Sequence, residues 1–199
     1  ASLLDGVSEV RKNPTLSSEL LELLQYNFKR IDFIDERVDV GFDCPLDLHC
    51  DYTRDQILVA LDFLKPSTVR EGVKYLQNRK IDIAFVTLNK SDKDYSPSTM
   101  YQDYSVGDEF FHWQSQSTTS ENSPTGQRYT HHREKGTLFL LFVRENKTDR
   151  VSGSAEAYTF LGKANYVQHE GSRPMSILWK LERPIPARLQ KKTNELVGE

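Results

Sequence analysis

Residues 99 to 129, TMYQDYSVGDEFFHWQSQSTTSENSPTGQRY, concentrate the side chains with chemistry to offer. Tyr101, Tyr104, Phe110, Phe111, His112 and Trp113 fall within 14 residues, interleaved with Asp103 and Gln114. Rings beside a carboxylate and an amide suit one task in particular. The rings hold a planar base while the polar groups read its edge, which is what a protein that extrudes a nucleotide from duplex DNA needs. Tyr101, Asp103, Tyr104, Phe111, Trp113 and Gln114 are therefore the expected base pocket. Packing of large rings at the edge of a core uses the same residue types. That alternative fits Phe110 and Phe111 best, because Tyr101, Tyr104 and Trp113 flank acids and amides rather than aliphatics.

Apolar periodicity stops at Trp113, and a run of Ser, Thr, Asn and Gln begins. Hydroxyls, amides and backbone N–H groups contact phosphate oxygens without imposing sequence preference. Ser115, Gln116, Ser117, Thr118, Thr119 and Ser123 are expected to track a phosphate backbone, with Arg128 adding charge where the loop rejoins the fold. Lys90, Lys163 and Arg173 complete the expected backbone contacts. A flexible surface connection is the competing reading of the loop.

Catalytic patterns are missing from the chain. There is no Gly-rich phosphate loop, no His-Glu-x-x-His and no nucleophile elbow. Cys44, His49 and Cys50 lie close in sequence, yet a structural zinc site takes four ligands at defined spacings, and small buried cysteines account for the pair. VTLNKSDKD supplies Lys90 and Asp92, but no Glu-x-Lys follows to build a two-metal nuclease. No catalytic residue and no metal ligand is assigned.

The elements that must position the pocket divide into two kinds. SSELLELLQYNFKRI sets Leu20, Leu21, Leu24, Phe28 and Ile31 on one helical stripe, with Ser17 or Ser18 available as its cap. YTRDQILVALDFL opens with Thr53 and Gln56 at capping-box spacing, carries Ile57, Leu58, Leu61 and Leu64 on a helical stripe, and is expected to end at Pro66. Beyond it the chain reads as strands. EGVKYLQNRKID predicts a hairpin with Asn78-Arg79 at the turn. IDIAFVTLN places Ile81, Ile83, Phe85 and Thr87 on one face, and GTLFLLFVRE is a buried strand. AYTFLGKANYVQHEG carries Gly162 where a bulge or bend is expected, and MSILWKLERPIP aligns Met175, Ile177, Trp179 and Leu181. Strands without helical periods between them predict a curved, mostly antiparallel barrel. The expected division is a helical coupling segment, 1–65, and a barrel, 66–199, in the α+β class.

Composition sets the outer limits. Of 199 residues, 37% are hydrophobic and 28% charged, which describes a folded domain rather than a disordered one. No apolar run approaches the ~18 residues of a membrane helix, and two cysteines fit a reducing, cytoplasmic setting. Neither an initiator Met nor a signal peptide is present, which predicts a piece of a longer protein. Charge is unevenly spread. Residues 1–65 hold 7 basic and 13 acidic side chains, and residues 125–192 hold 13 and 6. A basic C-terminal stretch can face phosphate, or it can be ordinary solvated charge.

The segments FVTLNKSDKDYSPSTMYQDYSVGDEFFHWQSQSTTSENSPTGQRY, LFVRE and YTFLGKANYVQHEGSRPMSILWKLERPIP resemble an uncharacterised C-terminal domain. That domain follows superfamily 2 helicase domains in bacterial proteins, some of which carry a phospholipase-D-like nuclease. The resemblance covers roughly residues 50 to 190. Such an architecture is similar to type IV, modification-dependent restriction enzymes, whose reader resembles the SET-and-RING-associated (SRA, PUA-like) barrel that flips 5-methylcytosine. It implies that this fragment binds double-stranded DNA and is not itself an enzyme. ATP and Mg would serve helicase and nuclease domains elsewhere in the full-length protein. Two other classes remain open: a nuclease domain with diverged metal ligands, and a protein-interaction module that docks to the helicase.

Overall fold

The computed structural model describes residues 3–29, 36–89, 103–149, 153–185 and 190. Two compact units divide the chain, residues 1–34 and 35–199. The first is a helical pair, α1 (Leu3–Arg11) and α2 (Pro14–Lys29). Asn13, not Ser17 or Ser18, serves the start of α2: its Oδ1 accepts the Leu16 N–H at 3.1 Å, while the Ser17 hydroxyl donates to Val10 O. Leu20, Leu21 and Leu24 are exposed on α2. The Phe28 side chain and Ile31 lie outside the described residues.

The second unit is built on an eight-stranded sheet. Its strands are β1 (Asp51–Tyr52), β2 (Val73–Leu76), β3 (Ile81–Thr87), β4 (Tyr104–Val106), β5 (Phe110–Gln114), β6 (Leu138–Arg144), β7 (Tyr158–Glu170) and β8 (Ser176–Leu181). The order is β2-β3-β6-β7-β8-β5-β4, with β1 pairing to β7. Six of the seven ladders are antiparallel, and β3 with β6 is the parallel one. The fold is thus α+β with a mostly antiparallel sheet. The sheet is not closed into a barrel among the described residues: β2 and β4 stand at its two ends.

Strand chemistry explains the layers. β3, apart from the buried Asp82, and β6 read as largely apolar runs because both of their faces are buried. Ala84, Val86, Phe139, Leu141 and Val143 join Phe111, Trp113, Ile177, Trp179 and Leu181 in one core. Ile81, Ile83, Phe85, Leu140 and Phe142 join Tyr158, Phe160 and α3 (Arg54–Ala60) in another. Helix α3 has the expected capping box, Thr53 with Gln56, and buries Ile57 and Leu58, with Leu61 buried at its C-cap. It ends at Ala60, well before Pro66, and Asp62 takes a positive φ just beyond it. Leu64, expected on its stripe, is 79% exposed. Because α3 packs on the sheet, residues 36–65 belong with the strands and the division of the chain falls near residue 34 rather than 65.

The β2–β3 hairpin turns through Gln77–Lys80, with Leu76 opposite Ile81. Gly162 lies beside the bulge in β7, where Leu161 is the extra residue against Leu141 and Phe142. Its φ of 88° is the left-handed region that favours glycine, and a Cβ there would come within 2.8 Å of Leu48 Cδ1, so that side chain would have to shift.

One element differs from the expected loop. Ser123 caps a short helix, α4 (Pro124–Thr130), by accepting the Gly126 N–H at 3.0 Å. Gly126 packs so tightly on the preceding loop that a Cβ would fall 2.1 Å from Ser120 O. α4 delivers Tyr129 to the first core and Arg128 to Asp82, in a bidentate pair at 2.7 and 2.9 Å. His132 follows, buried, with Nδ1 on Thr137 O and Nε2 accepting the Tyr166 N–H at 3.0 Å.

Candidate functional site

A cleft of about 680 Å³ opens where β3, β5 and β6 end and β7 begins. Thr87 and Arg144 are register partners at the ends of β3 and β6. Trp113 and Gln114 end β5, Tyr158 starts β7, and the segment 70–73 leads into β2. The Gln116 amide donates to Glu71 at 2.9 Å and ties the loop after β5 to the approach to β2. Those two strands lie near opposite ends of the sheet order, so the sheet must curl to bring them together.

The expected base-pocket residues separate. Asp103, Trp113 and Gln114 meet in the cleft. Asp103 is 5% exposed, and its Oδ1 accepts the Gln114 N–H at 2.9 Å. The Gln114 amide donates to Ser176 Oγ at 3.1 Å. Trp113 reaches the cleft with little surface. It is 4% exposed, and its ring packs on Tyr129, Phe139 and Trp179 at centroid distances of 5.3 to 6.4 Å. Phe111 is fully buried in the same core and does not line the cleft. Tyr104 stacks on His112 at 4.6 Å, on the face of the β4–β5 hairpin away from that core. Alternation along the strand places it there: Phe111 and Trp113 point in, so His112 and its partner Tyr104 point out. Tyr101 lies outside the described residues.

The expected phosphate contacts are mostly committed within the fold. Ser115 is fully buried. Its hydroxyl accepts the Met175 N–H at 2.9 Å, and its own N–H bonds Met175 O. Thr119 is buried and its carbonyl accepts the Arg173 N–H. Ser123 caps α4. The loop is therefore a strap bonded to residues 172–175, not a free connector. Ser117, Thr118 and the Arg173 side chain are exposed, and Gln116 lines the cleft. Arg128 faces Asp82 and lies 3.9 Å over the Tyr75 ring. Burial pushes the Asp82 carboxyl upward and Arg128 pulls it back only in part; burial also lowers the guanidinium, but the hydrogen bond and charge of Asp82 help to raise it on balance. Lys163 pairs with Glu182 at 3.0 Å, away from the cleft. Lys90 lies outside the described residues.

The rest of the cleft was not singled out from the sequence. Arg54, Arg70, Arg144 and Lys147 line it, with Glu71, Glu156, Phe85 and Tyr158. Arg54 lies 4.8 Å over the Phe85 ring and Arg144 4.5 Å over the Tyr158 ring, and those two rings meet edge to face at 5.2 Å. Both Glu156 carboxylate oxygens accept backbone N–H groups, from Glu145 and Asn146. Among the described residues no group of three His, Cys, Asp or Glu side chains is placed to hold a metal. The Cys44 thiol is buried against Ala60 O, and burial raises it.

A family model described as a domain of unknown function (DUF3427) matches residues 46–192, most of the chain. The chain belongs to that family. The match starts ahead of β1 and α3 and extends beyond β8, so the family's domain holds the sheet, α3 and the cleft. No curated protein matches the chain.

Proposed function

We propose that this DUF3427 domain is a DNA-recognition module that receives a flipped, modified base, 5-methylcytosine for choice, in the cleft at the ends of β3, β5 and β6. The observation that carries this reading is the meeting of Asp103, Trp113 and Gln114 in one cleft of about 680 Å³. Cytosine presents an N4 donor beside N3 and O2 acceptors. A carboxylate beside an amide complements that edge, and the cleft lies within the usual size range of ligand sites. The strongly curved sheet supplies the frame that an SRA-like reader would use. Flipping costs a few kcal/mol of unstacking. A methyl group in an apolar niche returns on the order of 1 kcal/mol, so discrimination by the fragment alone is modest. ATP- and Mg-dependent steps belong, in this reading, to helicase and nuclease domains of a longer restriction enzyme.

The test is a titration of the fragment against matched duplexes, methylated and unmethylated. Asp103→Asn is the informative variant, because it removes the carboxylate's charge and one of its acceptors while keeping an oxygen that can accept the Gln114 N–H. Asp103→Asn and Gln114→Ala should each weaken methylated-site binding several-fold. Equal affinity of the parent for both duplexes would reject modified-base reading, and no binding at low salt would reject DNA recognition.

A further inference from the structure

Two arginines in the cleft are held by neutral groups alone. Arg144 donates Nε to Thr87 Oγ1 at 2.9 Å and Nη1 to Glu156 O at 3.3 Å. Arg54 donates Nη1 to Val69 O at 3.3 Å and Nη2 to the Tyr158 hydroxyl at 3.2 Å. Among the described residues, neither forms an ion pair. A guanidinium has five N–H donors, so each retains unused ones. Both cations gather on a single aromatic pair: Arg144 and Arg54 lie 4.5 and 5.9 Å from the Tyr158 centroid. The negative faces of the rings attract such charges, but two like charges converging in a half-buried cleft still repel. The cleft's carboxylates, Glu71, Asp103 and Glu156, offset part of this repulsion, but none pairs with either arginine: the Glu156 oxygens accept backbone N–H groups, an Asp103 oxygen accepts the Gln114 N–H and Glu71 accepts from the Gln116 amide. Four cations, Arg54, Arg70, Arg144 and Lys147, still outnumber these three acids. Arg128, Lys163, Lys180 and Arg183, by contrast, all have acidic partners. The arrangement is what an anion-binding cleft needs, with planar donor forks pre-set by their hydrogen bonds and by the rings beneath them.

We propose that Arg54 and Arg144 hold a phosphate group of a nucleotide whose base lies toward Asp103 and Gln114. The identity of the anion rests on the base-pocket reading, and the anion site itself does not. Titrations of the chain with inorganic phosphate, 5-methyl-2′-deoxycytidine and 5-methyl-2′-deoxycytidine 5′-monophosphate separate the two claims. The monophosphate should bind at least about tenfold more tightly than the nucleoside, and added salt should erode that advantage. Arg144→Gln and Arg54→Gln should each abolish most of the advantage and leave nucleoside affinity within about twofold. Arg144→Lys, which keeps the charge but not the fork, should retain part of it. Equal binding of nucleoside and monophosphate by the parent overturns the phosphate site and leaves the base pocket standing. Arginine-dependent binding of inorganic phosphate without any nucleoside binding overturns the base pocket and leaves the anion site. Absence of binding by all three ligands overturns both, and the parent's own ligand comparison decides the matter even where a variant fails to fold.

Discussion

Trp113 joins core and cleft in one side chain. Its ring touches three aromatic neighbours, and only a margin of it reaches the cleft wall. A ring so enclosed has no open face on which a base can stack, so its contribution to the site is shape. Trp113→Ala should therefore destabilise the fold by ~3–5 kcal/mol, the cost of a large aromatic deleted from a packed core. Trp113→Phe keeps most of the volume and should lose much less. Denaturant unfolding of both variants checks this. A Trp113→Ala protein as stable as its parent would mean that the ring is not packed as described. The sequence made the ring's place legible, at the point where apolar periodicity gives way to polar residues. It did not reveal which side of the strand would face the core. Tyr104, His112 and Phe110 have the same composition around them as Trp113, and only the pleat separates them.

At the scale of elements, the polar stretch after β5 turned out to contain a helix. Ser123-Pro124 is a recognisable start signal, a capping hydroxyl followed by Pro at the first helical position. Gly126 inside the same turn obscured it, because glycine lowers helix propensity. Its presence is explained by the 2.1 Å approach to Ser120 O that a Cβ would make. The turn after α4 is tied to β7 through His132, whose Nε2 must stay unprotonated to accept the Tyr166 N–H. Burial holds His132 below its ordinary range, and Arg133 lowers it further against the opposing bond to Thr137 O. The unfolded chain therefore binds a proton here at a higher pH than the folded one does. This contribution to stability is complete above the ordinary histidine pKa of about 6.5 and is lost as pH falls through and below it. Unfolding free energies measured from pH 8 to 5 should decline on the acid side. His132→Gln, which keeps an acceptor, should flatten that decline. An identical slope in the variant would assign the loss to other groups.

Over the whole molecule, strand order and cleft were the parts that sequence could not supply. Individual strands were legible because alternation and apolar runs record burial directly. The crossover from β3 to the parallel β6 was not, since it encloses β4, β5 and α4. Linear charge was a partial guide. The basic C-terminal stretch supplies Arg144 and Lys147 to the cleft but has Arg128, Lys163, Lys180 and Arg183 on acidic partners, while Arg54 reaches the cleft from the acidic N-terminal third. The division of the chain carries a last expectation. Residues 35–199 contain both cores and the cleft, and the family match begins only at residue 46. In the N-terminal unit, Leu16, Leu20, Leu21, Leu23 and Leu24 are 40 to 58% exposed, so those side chains contribute little buried area to any core. A fragment that begins at residue 35 should therefore fold cooperatively, unfold at nearly the parent's denaturant midpoint and keep the parent's affinity for 5-methyl-2′-deoxycytidine 5′-monophosphate. A broad, non-cooperative transition in that fragment would show that the helical pair is part of the folding unit. Loss of nucleotide binding with folding intact would show that the helical pair completes the site.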